Sequence, residues 1–391
     1  MDIDLYFEPI DSSKIDREEE YLPSQLGAII KIHDEAGAFP DMEGVDMAII
    51  GVKEERNVVN NKGCAKAPDA VRNKLYQLFQ RDSKTKIADL GNIINGNKVE
   101  DTYFALSASI AELVENKIVP IIIGGSQDLT YANYTAYESL EQTINMVVVG
   151  PTFDLGIAGQ ELNSQNYLSK IILHQPNYLF NYSNIGFQSY FVDVHALELM
   201  RKLFFDAYRL GVVQNNIQEV EPIVRNADLL SFDVGSIRQS DAPGNQNASP
   251  NGFYGEEACQ ITRYAGLSDK LTSIGFYEIN PEYDNFDQTV HLVAQMIWYF
   301  IEGFYNRTKD YPVGDKSKYT KYHVPIHDGK HEIVFYKSKK SDRWWMSIPY
   351  PEGQDLKFDR HHLAPCSYAD YEKALKDDIP DRWLLAYQKL G

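Results

Sequence analysis

VPIIIGGSQDLTYAN, residues 119–133, reads as a buried strand, a glycine pair and the first turns of a helix. Val119, Ile121, Ile122 and Ile123 form an apolar run without polar alternation. Such a run suits a strand covered on both faces, as in a parallel sheet. Two more junctions share this layout, NMVVVGPTFDLG (145–156) and ADLLSFDVGSIRQSDAPG (227–244). Five further runs read as strands: VDMAIIGV (45–52), KIADLGNI (86–93), YLFNYSNIGFQ (178–188), YRLGVV (208–213) and KLTSIGFYEI (270–279). Helical segments fill the gaps: APDAVRNKLYQLF (67–79) with proline near its start, DTYFALSASIAELVENK (101–117) with Phe104, Ile110, Leu113 and Val114 near helical spacing, NIQEVEPIVRN (216–226), EEACQITRYAGL (256–267) and a last helix from Thr289. This alternation predicts an α/β fold, a three-layer α/β/α sandwich around a mostly parallel sheet of about eight strands. Ligands of such sheets bind beyond the carboxyl ends of the strands, where all three junctions begin.

The junctions carry a pattern of their own. GGSQD (124–128), GPTFD (150–154) and SFDVGSIRQSDAPG (231–244) resemble the three metal-binding signatures of the ureohydrolases, the family of arginase, agmatinase and formimidoylglutamase. That family writes them GGDHS, DAHxD and SxDxDxxDPxxxPG. Other segments follow in the family's order. GVKEERNVVNNKGCAKAPDAVR (51–72) keeps Gly63, Pro68 and Arg72, and DLGN (89–92) is similar to DxGD. YEINP (277–281) followed by Asp284 is similar to ExNPxxD. The resemblance spans roughly residues 45–305 and implies the family's arginase-like fold. It also implies that Glu278 occupies the position of a carboxylate that contacts a substrate guanidinium.

In the family the signatures supply two His and four Asp to a pair of Mn²⁺ ions. Here the first His position holds Gln127, preceded by Ser126. In the second signature the first Asp becomes Gly150 and the His becomes Thr152, while Asp154 remains. In the third, Asp233 remains and Gly235 replaces the next Asp. The six vestigial positions are therefore Gln127, Gly150, Thr152, Asp154, Asp233 and Gly235, of which Asp154 and Asp233 are the candidate metal ligands. The family reaction attacks a guanidinium or formimino carbon with a metal-bridging hydroxide, and two cations lower the pKa of that water. Mn²⁺ prefers carboxylate, imidazole and water ligands. Glycine offers no donor, and threonine and glutamine only neutral oxygens. No His lies between His33 and His174, so His174, His195 or His291 would have to come from elsewhere in the fold. Asp128 and Asp241 are neighbouring acids that serve either as substitute ligands or as turn and cap residues. Glu278 has a structural alternative too, an ion pair with Arg238.

This donor count implies that no cofactor is bound, that binuclear-manganese hydrolysis is lost and that no catalytic residue remains. A binding, scaffold or regulatory role is then expected. The alternative is a hydrolase of a linear amidine (formimidoylglutamate, arginine or agmatine) with an altered metal site and Mn²⁺.

Composition narrows the rest. The 391 residues are 43% hydrophobic and carry a formal charge of −18. Without a long basic run, this balance opposes nucleic-acid binding through phosphates and an anionic membrane surface. Cys64, Cys259 and Cys366 form no CxxC pair, which suits buried thiols in a reducing compartment. MDIDLYFEPIDSS (1–13) has no apolar core region, so no signal peptide is expected. TVHLVAQMIWYFIEGF (289–304) is too short and too polar for a membrane span. A cytoplasmic protein is expected. Residues 1–44 form an extension, 45–310 the core, and 311–391 an appendage outside the resemblance. In the appendage HEIVFYKSKKSDRWWMSIPY (331–350) reads as a hairpin, and SYADYEKAL (367–375) and DRWLLAYQKL (381–390) read as helices. The adjacent Trp344 and Trp345 must point to opposite sides, one of them toward a binding face, the main domain or a subunit interface. His361 and His362 are expected on a solvated loop. Self-association or a protein partner is implied by the family resemblance.

Overall fold

The computed structural model describes residues 3–15, 20–80, 85–157, 159–312, 316–327, 329, 331–349 and 361–390. Its main sheet has ten strands: β1 (Phe7–Glu8), β2 (Lys31–Ile32), β3 (Met47–Val52), β4 (Ile87–Ile93), β5 (Val119–Ile123), β6 (Ile144–Val149), β7 (Leu179–Phe187), β8 (Asp206–Arg209), β9 (Leu229–Asp233) and β10 (Ser273–Tyr277). Their order is β1-β4-β3-β5-β10-β9-β6-β7-β8, with β2 also beside β4. Every pairing is parallel except β1 with β4. All eight strands read from the sequence are present, and the N-terminal segment adds the two short ones at an edge.

Successive strand residues face opposite layers, as a period of two requires. Met47 and Ile49 of β3 join Val71, Leu75, Ile261, Val293 and Ile297, on the helices Ala67–Leu75, Gly255–Leu267 and Gln288–Tyr305. Ala48, Ile50 and Val52 join Leu106, Ile110 and Leu113 of Val99–Glu115 on the other face. Both faces are thus dry, which explains the unbroken apolar runs.

Three local readings are corrected. YRLGVV is a strand only to Arg209; Leu210–Asn215 is helical. NIQEVEPIVRN is a 3-10 turn, Ile217–Glu219, followed by the helix Val220–Arg225. Phe104 is 65% exposed, and the buried stripe of its helix runs through Tyr103, Leu106, Ile110 and Leu113.

A second, antiparallel sheet holds β11 (Tyr319–Ile326), β12 (His331–Ser338), β13 (Trp344–Ser347) and β14 (Leu363–Cys366) in that order. β12 and β13 are the hairpin expected from the sequence; β11 and β14 were not foreseen. The helix Tyr368–Leu375 starts at a complete capping box, Ser367 with Asp370, and Asp381–Leu390 follows. Neither tryptophan is exposed. Trp344 packs on Phe335 and Tyr371, while Trp345 lies under Tyr311 and Tyr319 with the Arg225 guanidinium 4.4 Å from its ring centre. Arg225 also donates to the carbonyls of Trp344 and Cys366, at 3.1 and 3.3 Å. The Trp345 side therefore covers the main domain. His361 is buried, not solvated, and stacks on Phe180 of β7 at 3.7 Å. The three cysteines are buried free thiols. Among the described residues no helix is long and apolar enough to cross a membrane.

Arg72 ties the helix Ala67–Leu75 to the end of β4. Its guanidinium grips Asp89 at 2.8 and 2.9 Å, the Asn92 amide oxygen at 2.7 Å and the Gly91 carbonyl at 2.8 Å. Both charged partners are fully buried. Removing one charge leaves the other unpaired in the interior, which costs about 3–5 kcal/mol. Asp89→Asn is therefore expected to lower the urea-unfolding free energy by roughly that amount. A loss below about 1 kcal/mol would mean that the pair is not buried as described.

Candidate functional site

β5, β10, β9 and β6 are consecutive neighbours in the sheet. Their carboxyl ends deliver Gln127, Glu278, Asp233 and Asp154 to one cleft of about 760 Å³. Thr152, Gly235 and Asn245 also line it, and Phe191, Val192 and Ile157 form an apolar part of its wall. Gly150 sits at the end of β6 but not on the cleft wall. Asp154 and Glu278 hold left-handed backbone angles, φ +50° and +64°, a conformation costing of order 1 kcal/mol per non-glycine residue.

Short hydrogen bonds position each group. Glu278 accepts from the Gln127 backbone N–H at 2.8 Å and from Asn61 Nδ2 at 2.7 Å. Asp233 accepts from the Gly235 N–H at 2.7 Å, and Asp154 from Thr152 Oγ1 at 2.7 Å. The Gln127 amide nitrogen donates to Ser231 Oγ at 2.8 Å. Arg238 does not pair with Glu278; it binds Asp241 at 2.8 Å and stacks on Tyr254. Asp241 also accepts from the Gly255 N–H, and Asp128 is buried against Tyr103 and Ser126. Neither acid lines the cleft. His174 engages Tyr131 and Glu138, and His195 and His291 are exposed; none lines the cleft. The sequence reading missed Asn61, Asn245 and Tyr167. Asn61 lies in the 51–72 segment and Asn245 directly follows the PG of the third signature, so both sat beside quoted motifs. Tyr167 carried no signal, because only folding brings its hydroxyl close to Asp154 and Gln127.

Burial drives the electrostatics. It pushes Asp154 up to about 6, partly offset by the hydrogen bond from Thr152 and by the nearby Tyr167 hydroxyl. It pushes Asp233 up to about 7, with the Asp154 charge adding to the rise. Glu278 rises well above the carboxylate range, through burial first and Asp233 second. The acids are thus close enough to repel one another, with no cationic side chain among the described residues lining the cleft.

The manganese implied by the resemblance can be tested against these donors. Among the described residues that line it, the cleft presents carboxylates but no imidazole. Among the described residues no group of three or more His, Cys, Asp or Glu is placed to hold a metal ion. A Cβ at Gly150 would meet only ordinary contacts of 3.5 Å or more, so the backbone does not demand glycine there. At Gly235 it would meet Asp233 Oδ1 at 3.0 Å. This donor set does not fit a binuclear manganese centre.

Asp233 has a direct consequence for stability. Between its ordinary value of 3.8 and its folded value of about 7, the unfolded chain releases a proton that the folded chain keeps. Its contribution is absent below that window, grows more unfavourable as pH rises through it and stays unfavourable above. Asp233→Asn, which keeps an oxygen for the Gly235 N–H, should therefore melt higher than the parent at pH 8. The gain should vanish near pH 4. Thermal melts at both pH values check this, and an equal gain at both would contradict it.

Comparison with known proteins agrees with this architecture. The formimidoylglutamase of Staphylococcus haemolyticus is 25% identical over 284 residues, 67% of this chain and 86% of that protein. That of Streptococcus gordonii is 23% identical over 292 residues. Among solved structures, the Trypanosoma cruzi formiminoglutamase with Mn²⁺ superposes with a TM-score of 0.65 at 19% identity, over 72% of this chain and 99% of that one. The Bacillus subtilis formimidoylglutamase gives 0.64 at 17% identity, over 75% of this chain and 94% of that one. These structural likenesses establish the fold. The arginase family's sequence pattern matches residues 45–302, well over half of the chain, and this protein belongs to the arginase family.

Proposed function

We propose that this chain is a formimidoylglutamase-like member of the arginase family whose cleft receives a linear amidine, and that it lacks binuclear-manganese hydrolysis. The observation that carries the reading is the cleft floor. Asp154, Asp233 and Glu278 converge there, while Gln127, Thr152 and Gly235 replace donors that a metal pair would need. An amidinium is planar, cationic and rich in N–H donors, and carboxylates are its natural acceptors. The residues that would orient such a group are in place; those that would generate a hydroxide on two metals are not. In this reading the protein acts by binding, as a sensor, scaffold or regulator.

A second reading keeps an enzyme, a C–N hydrolase of formimidoylglutamate, arginine or agmatine at an altered site. The comparisons favour it, since the curated relatives quoted above are formimidoylglutamases. One feature of the cleft supports it as well. Asp233, with its affinity for protons raised to about 7, is matched to take a proton from a bound water near neutral pH. Where a single ion is bound instead, Asp154 and Asp233 would be its carboxylate ligands, and Asp233 would then not be the base.

Elemental analysis of protein purified without chelators, joined to hydrolysis assays on all three amidines with added Mn²⁺, separates the readings. Far less than two manganese per chain and no turnover are expected. Two manganese per chain with turnover that Asp233→Asn abolishes would overturn the proposal. Turnover with one ion or none would establish the second reading.

A further inference from the structure

A second opening lies beside the cleft and shares none of its described lining residues. It is a groove of about 530 Å³ at the carboxyl ends of β7 and β8. One turn separates the two spaces: Tyr190 lines the groove and Phe191 lines the cleft. Their charges are opposite. The chain has 56 Asp and Glu against 38 Lys and Arg, yet the described lining of the groove holds two arginines and no acid. Arg209, the last residue of β8, is exposed, and its side chain makes no hydrogen bond or ion pair among the described residues. Arg238 is held in place, with Nε on Asp241 at 2.8 Å and its guanidinium 3.9 Å from the Tyr254 ring centre. Its terminal nitrogens donate to no described group. Asp241 offsets part of the Arg238 charge, so Arg209 supplies most of the field and Arg238 supplies fixed N–H donors. Tyr190 is 61% exposed, so the core does not use up its ring.

A ligand for this groove must bring an oxyanion, because the guanidinium fork matches the oxygens of a phosphate or a carboxylate. It must also bring a flat ring, because the exposed tyrosine offers an apolar face for stacking. The groove lies within the roughly 300–1,000 Å³ typical of small-molecule sites. We propose that it binds a small organic oxyanion with a flat ring, a nucleoside monophosphate or an aromatic carboxylate, with the anion on Arg209 and Arg238 and the ring on Tyr190. Gln214 and Asn251 add amide groups to the same lining. The site is separate from the acidic cleft and stands whatever occupies that cleft.

Titration calorimetry of the full chain with adenosine monophosphate and with benzoate tests this, since the two share a ring and differ in the oxyanion. At least one should bind at submillimolar concentration, and the tighter of the two identifies the anion. Inorganic phosphate and adenosine, which carry the anion and the ring apart, should each bind at least about tenfold more weakly than that ligand. Arg209→Gln removes a side chain without a described partner, so circular dichroism should report an unchanged fold while the ligand weakens by about tenfold or more. Arg209→Lys keeps the charge but not the fork and should recover only part of the loss. Tyr190→Ala should weaken the same ligand. Absence of binding by both ring-bearing anions at millimolar concentration would overturn the inference, and so would binding that Arg209→Gln leaves unchanged.

Discussion

The site depends on one close backbone crossing. Ser126 N–H donates to the Glu54 carbonyl at 3.1 Å, and a Cβ on Gly125 would lie 1.9 Å from that oxygen. On its other side Gly125 accepts from the Glu278 N–H at 2.9 Å, and Gly124 N–H donates to Phe276. The segments leaving β3, β5 and β10 are thus clamped at a pair of glycines. At Gly124 a side chain would meet the Tyr277 ring at 2.5 Å. This clamp places Gln127 and Glu278 on the cleft floor, beside the ends of β9 and β6 that bring Asp233 and Asp154.

The same geometry separates two kinds of residue within the signatures. Those that serve the backbone persist. Gly244 donates to Thr289 Oγ1 at 2.7 Å, at a point where its own Cβ would crowd that residue. Asp284 accepts from the N–H groups of Thr289 and Val290 at the start of the last core helix, a favourable place for a carboxylate. Asn280 reaches the carbonyls of Asn61 and Lys62, and Arg72 closes the buried network around Asp89. Of the six positions that serve metal ions in the family's signatures, four hold neutral residues here, Gln127, Gly150, Thr152 and Gly235. Gly150, where the backbone leaves room for a side chain, is the clearest case, since packing does not impose its loss of a donor.

Charge accounts for the form the site now takes. Three acids on one partly dry floor repel one another, and each is pushed toward its neutral form. Acids at 150 and 235 would add to that repulsion. Gly150 and Gly235 remove it, and the hydrogen bonds from Thr152, Gly235, Asn61 and Gln127 hold the acids that stay. The floor is electrostatically strained yet structurally ordered, a state in which a cationic ligand contributes most.

The sequence alone determined the layered α/β fold, the eight principal strands and the membership of Gln127, Asp154, Asp233 and Glu278 in one rim. Apolar runs without alternation report burial on both sheet faces, and glycine pairs report close backbone approach, so both are local signals. Only the tertiary structure decided who partners whom. Arg238 turned to Asp241 rather than Glu278, Asn61 crossed 217 positions to reach Glu278, and Trp345 of the second sheet met Arg225 of the helix Val220–Arg225. Such pairings depend on the directions of side chains that are distant in the chain, and spacing along the sequence carries no record of them. The absence of a cation from the described cleft lining is of the same kind, because charge at a site is a property of the surface that folding assembles.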